Sequence, residues 1–443
     1  MEEATLLIYI AATVAIGIKA KATTLEKFIL GDTLGTRAMV ATIASTFYGA
    51  SAILGGVSLT YQIGVGVVWF MVPFYLGSVA IVFLLKRITD SKRHTLPDFL
   101  GDFYGKEFAI ASSILLATLC LIPEEIIAGG KLLSAFTSMP VEVTMGIMTF
   151  VLIVPVAVGG MKADVTTDIV QLILMFLMLG MMVPFILDLQ MDLTLGISGE
   201  YFNPFSRVSG QEIAVFFILL FFLPITSAPL YQRFFASESE ACSRKSVLYS
   251  IAIWVAIDSI IVLCGFAALQ MFPALEDPDM SLILLGTALP AVGKSIFFVG
   301  LLAAIMSTAN SFLQSGASSL AYDVLRRLKP ATSEGQLLAL SRLFVVVLGL
   351  LSLVLALWFQ MVVPALLFTL SMWTAGMLVP TLAALTGRKL RKGTPLYSLL
   401  GGTLSSLAWK IWQPFDVDAL FVGLGSSLLV ALVSEAFRIR SQR

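Results

Sequence analysis

Two short stretches of small, polar and helix-breaking residues decide the fold: Ser45-Thr-Phe-Tyr-Gly-Ala-Ser-Ala-Ile-Leu-Gly-Gly56 and Pro224-Ile-Thr-Ser-Ala-Pro229. Each lies within a long apolar segment. Proline removes a backbone donor and glycine loosens a helix, so each stretch predicts a break in a membrane-spanning helix. At membrane depth, freed backbone groups persist only where they line a cavity or bind an ion. For either stretch alone, an ordinary kink is the alternative.

The composition around these stretches is that of a polytopic membrane protein. The 443 residues are 58% hydrophobic and 13% charged, with a mean hydropathy of +0.95, whereas soluble domains are about 45–50% apolar and about 25% charged. Long apolar runs such as 213–224 and 341–359 lack the alternation of a β-barrel, so we expect an all-α bundle. The net charge of +0 gives no indication of a nucleic-acid partner.

Cysteine and histidine are too few and too scattered to indicate catalysis or a metal centre. Cys120, Cys242 and Cys264 fit no metal-binding spacing, and His94 is the single histidine. We therefore interpret the cysteines as packing residues and expect no enzymatic activity. No His–Glu zinc motif is present, and no base is apparent for a serine nucleophile.

Thirteen transmembrane helices are predicted, near residues 4–18, 36–63, 65–88, 107–136, 141–158, 161–188, 211–235, 245–271, 282–327, 334–360, 362–386, 394–413 and 416–437. The basic residues test this map. Lys131, Arg207, Lys294 and Lys410 fall on one side, and the other 24 of the 28 Lys and Arg residues fall opposite, on the side that should be cytoplasmic. We therefore expect an inner (plasma) membrane protein with its N-terminus outside and its C-terminus in the cytoplasm. The acidic start Met1-Glu-Glu-Ala, without the basic region of a signal peptide, fits an external end.

The two predicted breaks lie five helices apart on this map. Because five is odd, the second block of helices would run opposite to the first. Paired breaks in inverted blocks are typical of secondary transporters, whose site lies near the membrane midplane.

Seven short motifs, in order along the chain, resemble the sodium:solute symporter family, whose members carry proline, pantothenate, sugars, sialic acid or iodide. They are Phe28-Ile-Leu-Gly-Asp-Thr-Leu-Gly35, Gly66-Val-Val-Trp69, Thr95-Leu-Pro-Asp-Phe-Leu100, Gly159-Gly-Met-Lys-Ala-Asp-Val-Thr-Thr-Asp-Ile-Val-Gln171, Gln232-Arg233, Ala303-Ala-Ile-Met-Ser-Thr308 and Tyr322-Asp-Val324. The resemblance implies a leucine-transporter-type core of five plus five inverted helices. The expected division is an extra helix and cytoplasmic loop (1–35), a first repeat (36–188), an external loop (189–210), a second repeat (211–386), and two extra helices with a short tail (387–443).

Ser307 and Thr308 are neighbouring hydroxyls in the uncharged apolar stretch 300–311. Hard oxygen donors in a lipid-immersed segment indicate a site for a desolvated hard cation. The alternative is hydrogen bonding to the preceding helical turn. The resemblance implies a sodium site formed by the carbonyls of Ser45, Tyr48 and Ala304 together with the Ser307 and Thr308 hydroxyls.

Asp168 lies within a predicted span, and an intramembrane carboxylate is a candidate functional residue by default. The resemblance implies that it supports sodium coupling, and in some family members it joins a second sodium site whose other positions are Asn310 and Ser311 here. Asn310 departs from the hydroxyl of two-sodium members. The alternative for Asp168 is a helix-end hydrogen bond near the interface.

Pro123-Glu124-Glu125 interrupts the fourth predicted span. Family members often carry an amide near Glu125, so this departure suggests an ammonium-bearing substrate or proton coupling. Alternatively, the pair binds Lys131 or lies in an external vestibule. The predicted substrate contacts are Ser51, Glu125, Thr226, Ser227 and Trp373. For Asp258, also within a span, we expect a helix–helix hydrogen bond.

These features predict a sodium-coupled symporter that imports an amino acid, an amine or a vitamin-like solute by alternating access. A proton-coupled symporter of the same fold, with Glu125 or Asp168 as the proton carrier, and a solute sensor that does not transport are the alternatives. The expected partners are the small-molecule solute, the sodium ion as coupling ion and the lipid bilayer. We expect no other cofactor and no obligate protein partner.

Overall fold

The computed structural model describes residues 2–189, 197–388 and 390–441. Within these ranges the regular structure is helical, apart from one isolated β-bridge between Leu34 and Ser237. The predicted all-α fold is therefore confirmed. Met1, residues 190–196 of the predicted external loop, Lys389 and the last two residues of the predicted tail lie outside the described residues.

The first half of the chain forms one long series of helices that ends before the 197–209 segment. These are α1 (Glu2–Lys19), α2 (Leu25–Ile29), α3 (Thr36–Thr46), α4 (Ala50–Ile63), α5 (Val68–Val82), α6 (Leu85–Thr89), α7 (Leu96–Tyr104), α8 (Lys106–Leu119), α9 (Pro123–Thr137), α10 (Val141–Gly159) and α11 (Met161–Asp188). Short 3₁₀ turns cover Gly64–Val67 and Gly199–Phe202.

The second half repeats this pattern of long spans and short connecting helices. Its helices are α12 (Gly210–Thr226), α13 (Ala228–Ala236), α14 (Glu240–Met271), α15 (Met280–Thr287), α16 (Ala291–Ser319), α17 (Arg326–Leu328), α18 (Glu334–Phe359), α19 (Val362–Thr386), α20 (Thr394–Trp412) and α21 (Ala419–Ser441). A π-helical turn, Leu320–Leu325, continues α16 into α17.

Both predicted helix breaks are confirmed. The first separates α3 from α4 at residues 47–49, and the second separates α12 from α13 at Ser227. Ser227 is extended (φ −77°, ψ 111°), and Pro229 follows in the first turn of α13. Because the helix ends at these breaks leave backbone groups without intrahelical partners, both are candidate ligand positions.

Two further predicted spans are divided. The interruption expected at Pro123 within the range 107–136 is present, between Leu119 and Pro123. The range 282–327, predicted without a break, is interrupted around Pro290, which precedes α16. Each proline lacks the N–H that a continuous helix would use.

Ten segments within the described ranges are long and apolar enough to cross a membrane. The predicted total of thirteen transmembrane helices is not confirmed. Of the ten, Ala291–Leu328 is the most enclosed, with 89% of its most apolar stretch buried. This segment contains α16, which packs against α11, α10 and α18, whereas α20 and α21 pack on each other and on α19. The helix α16, which carries Ser307 and Thr308, therefore lies at the centre of the bundle.

Candidate ion and solute site

The break between α3 and α4 lies against two other helices. A Cβ added at Gly49 would lie 2.3 Å from Oε1 of Glu125 and 2.3 Å from Oγ1 of Thr308. Glu125 comes from the first turn of α9, and Thr308 comes from the middle of α16. Only glycine fits at position 49 without displacing these side chains. Because it has no Cβ, the α3–α4 break, α9 and α16 can lie in direct contact.

The predicted hydroxyl pair on α16 lies at this meeting point. Ser307 is fully buried, and its Oγ donates to Oδ1 of Asp168 at 2.5 Å rather than to its own helix. Thr308 is 6% exposed, and its Oγ1 has no hydrogen-bond partner among the described residues. Back-bonding, the alternative considered for this pair, is therefore not what the structure contains. Both oxygens keep lone pairs free for a cation.

The three carbonyls predicted to bind sodium belong to α3, to the α3–α4 break and to α16. Tyr48 and Thr308 line the same cavity. Ser45 lies in the last turn of α3, where its carbonyl accepts the Tyr48 amide at 3.2 Å and its hydroxyl donates to the Ala41 carbonyl at 2.9 Å. Ala304 is fully buried on α16, one turn before Thr308.

Asp168 on α11 belongs to a buried polar cluster that connects this helix to α3, α13 and α16. Its Oδ2 accepts from Thr42 Oγ1 at 2.5 Å and lies 3.5 Å from the guanidinium of Arg233. Because Asp168 is fully buried and bonds to other helices, the alternative of a helix-end hydrogen bond is wrong. The carboxylate is instead placed to orient the Ser307 hydroxyl.

Arg233 is the centre of this cluster. Its guanidinium donates to Ser311 Oγ at 2.6 Å, to Asp164 Oδ2 at 3.0 Å and to Thr42 Oγ1 at 2.8 Å. The sequence analysis identified Arg233 only as part of a motif. Thr42, Asp164 and Ser311, its side-chain hydrogen-bond partners, are 69 or more residues away in the chain. The cluster thus already contains one fixed positive charge.

The three positions predicted for a second sodium are not equivalent in the structure. Asp168 and Ser311 both contact Arg233. Asn310 lines a separate small cavity together with Asp164, and its Oδ1 has no hydrogen-bond partner in the described part of the chain. The set therefore stays a prediction.

A cavity of about 720 Å³, including its opening, lies beside the α3–α4 break. The residues that line it come from nine helices and the break: Thr46, Phe47, Tyr48, Ser51, Ala52, Phe70, Met71, Phe74, Leu119, Glu124, Leu220, Leu223, Asp258, Thr308, Phe312, Leu366, Thr369 and Leu370. Of the predicted substrate contacts, Ser51 lines this cavity.

The two adjacent glutamates have different surroundings. Both oxygens of Glu125 accept the Ala50 N–H, at 2.9 and 3.1 Å, at the N-terminus of α4, where the helix dipole favours a negative charge. Glu124 lines the cavity. Lys131 instead pairs with Asp277 at 2.7 Å and with Asp279 at 2.8 Å, so the alternative in which Lys131 holds the glutamates is wrong.

The remaining predicted substrate contacts meet at the second break. Trp373 Nε1 donates to the Thr226 carbonyl at 3.2 Å, and Ser227 is fully buried. These three residues do not line the cavity beside the first break. As substrate contacts they stay predictions.

The sequence did not identify Glu124 or Asp258 as cavity residues. Asp258 on α14 accepts hydrogen bonds from the hydroxyls of Tyr48, at 2.7 Å, and Tyr75. The expected helix–helix hydrogen bond of Asp258 is thereby confirmed. The only available signal was that a charged residue lay within a predicted span.

Solved structures resemble this chain over nearly its whole length. A substrate-bound outward-open Na⁺-coupled sialic acid symporter covers 98% of both chains with a TM-score of 0.82 at 18% identity. Mhp1, a nucleobase-cation-symport-1 family transporter, covers 94% of this chain and 95% of its own with a TM-score of 0.61 at 14% identity. These likenesses show the fold, and they confirm the predicted leucine-transporter-type architecture.

Relatives by sequence are symporters and transporters. The uncharacterized symporter YidK of Escherichia coli is 24% identical over 75% of this chain and 63% of its own length. The sodium/pantothenate symporter of Haemophilus influenzae is 25% identical over 72% of this chain and 70% of its own. The high-affinity proline transporter PutP of Bacillus subtilis is 24% identical over 73% and 74%, respectively.

The model of the sodium:solute symporter family matches residues 28–386, which include both broken helices, the Arg233 cluster and the paired hydroxyls of α16. This chain is an integral membrane protein that belongs to the sodium:solute symporter family.

Proposed function

We propose that this protein is a sodium-coupled symporter, without enzymatic activity, that imports a small organic solute across the plasma membrane by alternating access. The observation that carries the proposal is the meeting of Thr308, whose buried hydroxyl lacks a partner among the described residues, with the α3–α4 break. Family membership and the sodium-coupled relatives support the same function.

The proposed main sodium site consists of the carbonyls of Ser45, Tyr48 and Ala304 and the hydroxyls of Ser307 and Thr308. Neutral oxygens hold sodium weakly enough for release, and Asp168 orients Ser307 from behind. Sodium at this position would connect α16 to the broken helix, and its departure would let them separate. Moving one charge inward is favoured by about 2.3 kcal/mol per 100 mV of membrane potential.

The proposed topology follows the distribution of basic residues. We place the N-terminus outside and the C-terminus in the cytoplasm, with residues 36–188 and 211–386 as the two inverted repeats. For the second predicted set, Asp168, Asn310 and Ser311, we propose that Arg233 supplies the positive charge, because its guanidinium contacts Asp168 and Ser311. One sodium per transport cycle follows from this.

Proton coupling is the second candidate, because Glu125 and Asp168 are fully buried carboxylates close to Thr308 and Ser307, respectively. A solute sensor would keep the sodium site but would not transport. Both alternatives are distinguished from symport by ion flux.

The test compares sodium with potassium, using purified protein. We expect sodium to raise the unfolding temperature in a saturable way with a Hill coefficient near 1; occupancy at 100 times the dissociation constant adds about 2.7 kcal/mol. Thr308→Ala should remove most of this effect. Ser295→Ala is the matched control, because Ser295 is a partly exposed residue on the same helix and its hydroxyl donates to the Ala291 carbonyl. Reconstituted protein should then carry ²²Na⁺ into liposomes when a transported solute is present.

Equal stability in sodium and potassium would contradict the proposal, as would an unchanged sodium midpoint in Thr308→Ala. A Hill coefficient near 2 would show that a second sodium ion binds, and it would contradict the proposal of one sodium ion per transport cycle. Solute uptake driven by a pH gradient without sodium would establish the proton-coupled alternative, and solute binding without flux would establish the sensor.

A further inference from the structure

Two acidic side chains line the cavity beside the first break. Glu124 and Asp258 are each 6% exposed. Oε2 of Glu124 is buried and has no hydrogen-bond partner among the described residues. Two tyrosine hydroxyls donate to Oδ2 of Asp258, but no basic side chain among the described residues pairs with its charge. Uncompensated charge at membrane depth is costly, so it indicates a function.

The cavity carboxylates differ from the other buried carboxylates of this protein. Five of these, Asp98, Asp164, Asp168, Asp279 and Asp323, each lie within 4.0 Å of a basic side chain. The buried carboxylates without such a pair, in the ranges that the structure describes, are Glu124, Glu125 and Asp258. All three surround the same break.

The lining of the cavity offers these carboxylates no internal cation. It includes no lysine, arginine or histidine. Glu125, beside Thr308, is next to the proposed sodium site, and sodium there would compensate one of the three charges. The charges of Glu124 and Asp258 then remain to be compensated by a solute that enters the cavity.

The rest of the lining fits a cation that carries an apolar body. Phe47, Phe74 and Phe312 line the cavity, with ring centroids 5.2 Å apart for Phe47 and Phe74 and 6.5 Å apart for Phe47 and Phe312. Aromatic faces attract ammonium groups and also cover apolar groups. Ser51 and Thr369 add hydroxyls for a further polar substituent. A carboxylate solute would instead meet two like charges.

From this arrangement we propose that the solute is an organic cation, with a protonated amine or quaternary ammonium group bound by Glu124 and Asp258 and an apolar body packed on the phenylalanines. The inference rests on the proposed transport function and specifies its substrate class.

The experiment uses three probes of similar shape and different charge: phenethylamine, phenethyl alcohol and 3-phenylpropanoate. Binding to the purified full-length protein in sodium is followed by intrinsic tryptophan fluorescence. Trp254 contributes to this signal, and its ring lies 4.8 Å from Phe74 and 5.9 Å from Tyr48 of the cavity. Sodium-induced thermal stabilisation is measured in parallel without any probe.

We expect the amine to bind at least about tenfold more tightly than the other two probes, and Glu124→Gln and Asp258→Asn each to weaken it about tenfold or more. Sodium-induced stabilisation should persist in both variants, which also shows that they fold. Equal binding of the three probes, preference for the alcohol or the carboxylate, or no binding of the amine while sodium still stabilises would overturn the substrate class and leave sodium coupling standing. Loss of the sodium effect in wild-type protein would instead overturn the proposed function.

Discussion

The Ser307 hydroxyl on α16 donates a 2.5 Å hydrogen bond to Oδ1 of Asp168 on α11. The other carboxylate oxygen accepts from Thr42 on α3 at 2.5 Å. One buried carboxylate therefore fixes a hydroxyl of the proposed sodium site and connects it to the helix that ends at the first break. The proton of Ser307 faces the carboxylate, which leaves the oxygen lone pairs for a cation.

Asp168→Asn tests this arrangement. An amide cannot accept from both hydroxyls with a full negative charge, and hydrogen bonds to charged groups contribute about 1.5–3 kcal/mol each. We expect a lower unfolding temperature and a sodium midpoint raised about tenfold or more. Asp188→Asn, an exposed carboxylate at the end of the same helix, is the control and should change neither quantity. If the sodium concentration for half-maximal stabilisation were unchanged in Asp168→Asn, Asp168 would have no role at the ion site.

Gly49→Ala should disturb the meeting point of the broken helix, α9 and α16. The new methyl group would lie 2.3 Å from oxygens of Glu125 and Thr308, so these side chains must move. Overpacking of this kind costs about 1–3 kcal/mol, and we expect weakened sodium stabilisation as well. Gly180→Ala on α11 is the control, because no atom lies within 4 Å of its added Cβ. Thermal unfolding with and without sodium measures both effects, and wild-type behaviour of Gly49→Ala would contradict the described geometry.

Arg233→Gln should be among the most destabilising substitutions in this protein. It leaves Asp164 and Asp168 buried without their positive partner, and breaking a buried ion pair in this way costs about 3–5 kcal/mol. Arg233→Lys should restore only part of this stability, because one ammonium cannot reproduce the separate guanidinium contacts to Thr42, Ser311 and Asp164.

A double-mutant cycle identifies the interaction. Asp164→Asn combined with Arg233→Gln should be less destabilising than the sum of the single changes, by about 1–3 kcal/mol. Thermal or denaturant unfolding gives the four stabilities. Strict additivity would show that Arg233 does not depend on Asp164.

The charge of the cavity can be measured without knowing the solute. The native Cys120, Cys242 and Cys264 are buried, so a cysteine introduced as Ser51→Cys can be labelled in their presence. Because Glu124 and Asp258 line the same cavity, a cationic methanethiosulfonate should react faster than an anionic one. Exposed Ser209→Cys is the reference site. A cationic-to-anionic rate ratio at residue 51 no larger than at residue 209 would contradict an acidic cavity.

Sequence alone determined the features that depend on local chemistry. Apolar runs long enough to cross a bilayer predicted the all-α fold, and Gly49 and Pro229 predicted helix breaks that the structure contains. Ser307 and Thr308 were marked as unusual because hydroxyls without a neighbouring charge are conspicuous in an apolar helix. Each of these signals is readable within one or two helical turns.

Only the tertiary structure decided which polar groups meet. Glu124 and Glu125 are adjacent in sequence, yet Glu124 lines the cavity and Glu125 caps α4, because neighbouring helical residues point about 100° apart. Lys131 pairs with Asp279, 148 residues away, rather than with the nearby glutamates. Asp258 meets Tyr48 across 210 residues. The free energy of a buried charge depends on partners brought by other helices, and that information is absent from any single stretch of the chain.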